Sequence, residues 1–146
     1  MRMESKISKR LEEIVTALPL KEGLRILEIG CGTGVVAREI AKQINNIYLL
    51  GLDRSAKAIE QAVFSSRTEI LSGKLHFQKA AIEEFEFDGD ELFDFAFAIR
   101  VGALDGRHPE IEQKALSNIA KVLKSNGTLF IDGGSPLQEI NIKKYR

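Results

Sequence analysis

The stretch Arg25-Ile26-Leu27-Glu28-Ile29-Gly30-Cys31-Gly32-Thr33-Gly34 constrains the fold of this chain more than any other. A short apolar run of the kind that fills a buried strand ends in three glycines at alternate positions. Val35, Val36, Ala37, Ile40, Ala41 and Ile44 then recur at helical spacing. Strand, tight turn and helix follow one another with no slack. Asn45-Asn46 breaks the helix, Ile47 to Leu52 reads as a second buried strand, and Asp53 stands at its C-terminal end. Strands that are apolar on both faces need cover on both faces, which only helices crossing between parallel strands supply.

The rest of the chain repeats the alternation. Ile7, Leu11, Ile14, Val15 and Leu18 form the apolar stripe of a lead-in helix that Pro19 and Gly23 stop. Ser55 caps a helix running to about Ser65, Leu75 to Gln78 is a weaker third strand, and Phe93 to Ile99 is a fourth. Pro109, behind His108, opens a helix whose apolar positions run from Ile111 to Leu123; Asn126-Gly127 ends it, and Thr128 to Ile131 is a fifth strand. The expected fold is α/β: a doubly wound, mostly parallel sheet of about five strands flanked by helices. Residues 1–146 make a single domain, with 1–20 as the lead-in helix and 134–146 as a C-terminal tail. In the tail, Ile140 and Ile142 alternate with polar residues, which fits a short edge strand or a frayed end.

Composition narrows the function classes. Twenty-one basic and 21 acidic side chains cancel, so no global field draws the chain to phosphate backbones or anionic lipid; a histone-like role is excluded and nucleic acid is disfavoured as a partner. One cysteine allows no internal disulfide and no cysteine-rich zinc site, so no metal is expected and the cytoplasm is the default compartment. No stretch approaches the roughly 18 apolar residues of a spanning helix, and the N-terminus lacks the uninterrupted apolar run of a signal peptide.

In a doubly wound sheet the ligand lies at the C-terminal ends of the strands, against the loop after the first one. Gly30, Gly32 and Gly34 fall there, ahead of a helix N-terminus. A dinucleotide fingerprint would need a glycine or alanine where Val35 stands, and a P-loop would need Lys and Ser or Thr after Gly34, where Val35-Val36 follow. Nineteen residues after Gly34, Asp53 can accept hydrogen bonds from the two hydroxyls of a ribose. Together they mark a site for a nucleoside-bearing ligand.

On these residues the chain resembles the class I, Rossmann-like methyltransferases that use S-adenosylmethionine. Ile26 to Gly34 is similar to the family's first motif and Gly51-Leu52-Asp53-Arg54-Ser55 to the end of its second strand; Phe93 to Ala98 and Lys121 to Ile131 follow in the family's order. The resemblance covers roughly residues 20 to 133. It implies S-adenosyl-L-methionine as cofactor and S-adenosyl-L-homocysteine as product. It places Gly30, Gly32 and Gly34 against the methionine and ribose parts, Cys31 as small-residue packing in the loop, Glu28 as orienting the cofactor's amino group, Asp53 on the ribose, and the stem of Arg54 beside the adenine.

Three departures matter. Where the family commonly has Gly-Asp-Ala after the third strand, this chain has Ala80-Ala81-Ile82, leaving only backbone near Ala81 and Ile82 to meet the adenine. Ala98-Ile99-Arg100 is not the acceptor motif of enzymes that methylate nucleobase or amide nitrogens. The family's usual antiparallel hairpin after the fifth strand has only about a dozen residues to form from, so either the enzyme is minimal or something replaces that edge, such as a homodimer contact or a partner subunit covering the fifth strand.

The candidates near the reacting end are Arg100, Asp105 and His108, with Arg100 equally readable as a partner of Asp105 and His108 as a helix-entry residue. The acidic run from Glu83 to Glu91 reads as a solvated face, with Phe85, Phe87 and Phe93 anchoring it. The function expected is methyl transfer to a small molecule or a protein side chain by in-line displacement. Two alternatives stand beside it: a catalytically inactive binding or regulatory subunit on the same fold, and an NAD-dependent oxidoreductase, disfavoured by Val35.

Overall fold

The computed structural model describes residues 7–104 and 106–146. Ser8 caps helix α1 (Lys9–Ala17), its hydroxyl accepting from the Leu11 amide. Strand β1 (Leu24–Ile29) leads through the glycine loop into α2 (Val35–Gln43), and β2 (Ile47–Asp53) follows. Ser55 caps α3 (Ala56–Ser65) by accepting from the Ala58 amide, and a short α4 (Arg67–Leu71) precedes β3 (Leu75–Lys79). The chain then makes a 3-10 turn (Ile82–Glu84), β4 (Phe93–Ala98), a second 3-10 turn (Gly102–Leu104), α5 (Pro109–Val122), β5 (Leu123–Asp132) and β6 (Leu137–Ile140).

The sheet order is β3-β2-β1-β4-β5-β6, parallel throughout except for β6. Chain order reverses at β1: β2 and β3 lie to one side, β4 and β5 to the other. Such a reversal splays the following loops apart and opens a crevice at the strands' C-terminal ends. The core has two layers, one per face. Val15, Val36, Ile40 and Phe97 belong to the layer under α1 and α2, and Leu27, Leu116, Ile119 and Leu129 to the layer under α5.

Three boundaries differ from the sequence reading. Helix α5 stops at Val122, because Leu123 already pairs with Phe93 and the next partner of β4 is Thr128; Lys124 to Gly127 bulge out between them. A further turn of helix, α4, follows Ser65. The tail does form an edge strand: Leu137 to Ile140 pairs antiparallel with Leu129 to Asp132. The fifth-strand edge is therefore covered by this chain's own β6, and the expectation that a homodimer or partner subunit covers it is corrected. Pairing satisfies in cis the amides and carbonyls that would otherwise have sought another strand.

Candidate active site

The crevice at the switch point is a cleft of about 200 Å³ walled by Ile29, Gly30, Asp53, Arg54, Ala80 to Glu83 and Arg100 to Ala103. Beside it, at the ends of β4 and β5, lies a pocket of about 440 Å³ walled by Ala98, Arg100, Val101, Gly102, Leu104, Arg107, Ile131 and Asp132. Arg100, Val101 and Gly102 belong to both walls. The two cavities share one partition.

The glycine loop is held by its backbone. Gly30 and Cys31 amides both donate to the Leu52 carbonyl (2.8 Å each), so the loop is tied across the switch point to the end of β2. Gly30 has φ +73°, and a Cβ there would stand 2.7 Å from Val101 Cγ2 in the partition. At Gly34 (φ +87°) a Cβ would meet Arg38, Phe77 and Ala62, so this glycine lets α2 pack closely and does not line the cleft. Cys31 is buried, its Sγ close to where a Gly51 Cβ would lie; burial pushes the thiol well above its ordinary range, so it packs the loop and is no nucleophile at neutral pH.

Asp53 joins the two halves of the crevice. Its Oδ2 accepts from the Gly32 amide and its Oδ1 from the Ser55 amide, both at 2.9 Å. Each carboxylate oxygen can accept two hydrogen bonds, so each keeps one lone-pair direction. Gly32, at φ +56°, has nothing within 4 Å of a Cβ position, so this part of the loop faces open space.

Glu28 directly precedes the cleft residue Ile29 and is 3% exposed. Its Oε1 has no hydrogen-bond partner among the described residues. Burial, reinforced by the charge of Asp53 and opposed by that of Arg38, pushes its pKa from 4.5 up to about 8. A buried carboxyl with an unused oxygen is an acceptor awaiting a donor, and a cationic donor would restore its ionised form.

The cleft also holds a residue that sequence reasoning assigned elsewhere. Glu83, expected on a solvated face, is 9% exposed, and its Oε1 takes a 2.8 Å ion pair from Arg54 Nη2. The 3-10 turn after β3 rolls Ile82 and Glu83 inward while Glu84 stays outside. The cue was the position of Glu83, directly after the aligned Ala81-Ile82. Phe85 and Phe93 are buried as expected, and His76 stacks on Tyr48 with ring centroids 4.2 Å apart.

Of the two described reacting-end candidates, Arg100 is on the walls and His108 is not. Arg100 has a left-handed backbone (φ 57°), and its amide donates to Asp132 Oδ1 at 3.1 Å. The other oxygen of Asp132 holds the Arg10 guanidinium of α1 at 2.7 Å. His108 caps α5 through its backbone, is exposed, and lines neither cavity. Asp105 lies outside the described residues. No group of histidine, cysteine, aspartate and glutamate suited to a metal ion occurs among the described residues.

Residues 20–144 match the methyltransferase-domain family. The chain belongs to that family. It is 31% identical over 144 residues to an O-methyltransferase of Aspergillus nomiae, covering 95% of this chain and 58% of the relative. It is also 31% identical over 125 residues to a sterol 24-C-methyltransferase of Gibberella zeae, covering 86% of this chain and 31% of the relative. The chain thus spans roughly a third to three fifths of these relatives' length. Among solved structures, an S-adenosylmethionine-dependent methyltransferase from Thiobacillus denitrificans, in complex with S-adenosyl-L-homocysteine, superposes with a TM-score of 0.67 at 22% identity. That match covers 86% of this chain and 48% of the other. The [4+2]-cyclase SpnF superposes at 0.68 with 28% identity, covering 83% of this chain and 42% of that one. The class I methyltransferase fold is therefore this chain's fold, and S-adenosylmethionine is the cofactor of its family; the NAD reading falls with that assignment.

The chain's own residues suit that cofactor. The unpartnered Glu28 oxygen fits an ammonium, the free lone pairs of Asp53 fit a pair of hydroxyls, and the cleft between Arg54, Ala81 and Ile82 fits a flat apolar ring.

Proposed function

We propose that this chain binds S-adenosylmethionine in the 200 Å³ cleft and transfers its methyl group to a small molecule held in the 440 Å³ pocket. The lining shared by the two cavities carries the reading, because it sets them side by side, and in-line displacement needs the acceptor to reach the sulfonium methyl directly, within a few ångströms.

When bound, the cofactor supplies an electrophilic methyl group on a sulfonium. The residues do the rest. Asp53 would take the ribose hydroxyls while still anchoring the Gly32 and Ser55 amides. Glu28 would take the amino group, trading an unpaired oxygen for an ion pair. Gly30 and Gly32 would let the chain approach without a side chain in the way, and Cys31 and Gly34 would hold the loop from behind. Ala81 and Ile82 would flank the adenine, and the Arg54 stem, fixed by Glu83, would close over it. A pocket of this size fits a small molecule as acceptor. No described helix is long and apolar enough to cross a membrane, and the chain's one cysteine is buried and in no disulfide; both fit the cytoplasm.

Calorimetric titration with S-adenosylmethionine and with NAD tests it. Saturable binding of the first and none of the second is expected; NAD binding alone would overturn the assignment.

A further inference from the structure

We propose that Arg38 of α2 is a positioning residue for the cofactor: its guanidinium fixes the glycine loop, from behind Gly34, against the junction of α3 and α4. The inference rests on the cofactor-binding reading above and names a residue that supports it from outside the site. Arg38 lines neither the cleft nor the pocket beside it, so it acts through the loop and through Glu28.

The geometry comes first. Arg38 Nη1 donates to the Thr33 carbonyl at 2.7 Å and to the Ser66 hydroxyl at 3.0 Å. Thr33 stands between Gly32 and Gly34 in the loop, and Ser66 is buried where α3 gives way to α4. One nitrogen thus joins the loop to a packed junction of the fold. A Cβ at Gly34 would stand 2.8 Å from that same nitrogen, so the guanidinium fills the room that the missing side chain leaves. A turn with glycines at alternate positions carries little conformational preference of its own. A charge-assisted bond to its one threonine carbonyl supplies the order that the glycines do not.

The second observation is charge around Glu28, whose Oε1 is buried without a partner. Asp53 on β2 acts against its ionised form, and Arg38 on α2 acts for it. The nearby loop thiol, Cys31, is held protonated by burial. The register partners of Glu28 on β2 and β4 are Gly51 and Phe97, which carry no charge. On its far side Arg38 is faced by Glu69 of α4. An ammonium ligand needs the ionised carboxylate, so the guanidinium that fixes the loop also favours the state of Glu28 that would receive the amino group. Removing the Arg38 charge raises the Glu28 pKa beyond its value of about 8. The resulting loss of affinity is therefore largest at and below neutral pH, and it shrinks once the pH is high enough to ionise Glu28 in both proteins.

The test is calorimetric titration of S-adenosyl-L-homocysteine into wild type and variants from about pH 6 to about pH 9. Arg38→Gln is expected to bind more weakly than wild type throughout, with a deficit at the low end about threefold or more larger than at the high end. Arg38→Lys keeps the charge, so its deficit should be the same at both ends. In a Glu28→Gln background the pH-dependent part of the Arg38→Gln deficit should vanish. Ser66→Ala keeps the charge and removes the anchor; it should bind about threefold or more weakly at every pH, and it tests the clamp even where Arg38→Gln does not fold. Wild-type affinity in Ser66→Ala would overturn the inference. So would an Arg38→Gln deficit that is absent, that is equal at all pH values, that Arg38→Lys shares in its pH dependence, or that keeps this dependence without Glu28. Failure of S-adenosyl-L-homocysteine to bind the wild-type chain shows in the first titration and would instead overturn the cofactor-binding reading.

Discussion

Replacing Glu28 by Gln isolates a buried carboxyl that has an unpaired oxygen. In the free protein its pKa is raised from 4.5 to about 8, because burial and the nearby Asp53 charge penalise the ionised form. A carboxyl whose folded-state pKa is raised binds its proton more tightly folded than unfolded. Its contribution to stability is therefore fully present below about 4.5 and is lost as pH rises through about 8. Within that window each pH unit removes about 1.4 kcal/mol, so between about pH 5 and about pH 8 the loss is about 4 kcal/mol. Glutamine has nearly the same shape and no proton to lose, so the variant should lack this slope. Urea unfolding of both proteins at a series of pH values gives the difference, since titrating groups not coupled to Glu28 cancel between them. The variant should gain on the wild type steadily as pH rises and level off above about pH 8. Cofactor binding should run the other way. An ammonium ligand favours ionised Glu28, so wild-type affinity for S-adenosyl-L-homocysteine should rise by up to about tenfold per pH unit below about pH 8, and the variant's should be weaker and lack that rise. Parallel stability curves for the two proteins would refute the burial argument. Equal affinities at high pH would refute the contact with the amino group.

Asp53→Ala removes the acceptor for the Gly32 and Ser55 amides together with that proposed for the ribose; calorimetry should show cofactor affinity down by about ten- to a hundredfold, as expected for a lost charge-assisted pair of hydrogen bonds. Gly30→Ala forces a Cβ to 2.7 Å from Val101 Cγ2 in a left-handed backbone, and denaturant unfolding should show a loss of about 2 kcal/mol or more, with weakened cofactor binding because the shared partition moves. Arg100→Gly releases backbone strain at φ 57° but adds freedom to the unfolded chain; the two nearly cancel, so thermal unfolding should show a change between zero and about 1 kcal/mol of stabilisation, and a large loss would mean that Arg100 packs structurally.

The glycine loop, the acid after β2 and the succession of strands and helices were legible because each is local. A buried parallel strand, a turn needing positive φ and an amphipathic helix each write their requirement into a few consecutive residues. The family resemblance read from Ile26 to Gly34 and from Gly51 to Ser55 was sound for the same reason. The acidic run misled because composition averages over a turn that sends Glu83 inward and Glu84 outward. The end of α5 misled because whether Leu123 continues a helix or pairs with Phe93 depends on a strand thirty residues away in the chain.

The sequence by itself thus determined the class of the sheet, the position of its switch point and the kind of ligand its first loop can approach. Only the tertiary structure decided what stands next to that loop. Arg10 and Asp132 are 122 residues apart in the chain and meet at 2.7 Å; Arg100 is fixed by the same Asp132 from 32 residues away. The partition between the two cavities, the neutralised aspartate and the pairing of β6 with β5 all arise from such distant encounters. Local spacing does not specify them, because the free energy that sets them belongs to the packed sheet and not to any one segment of it.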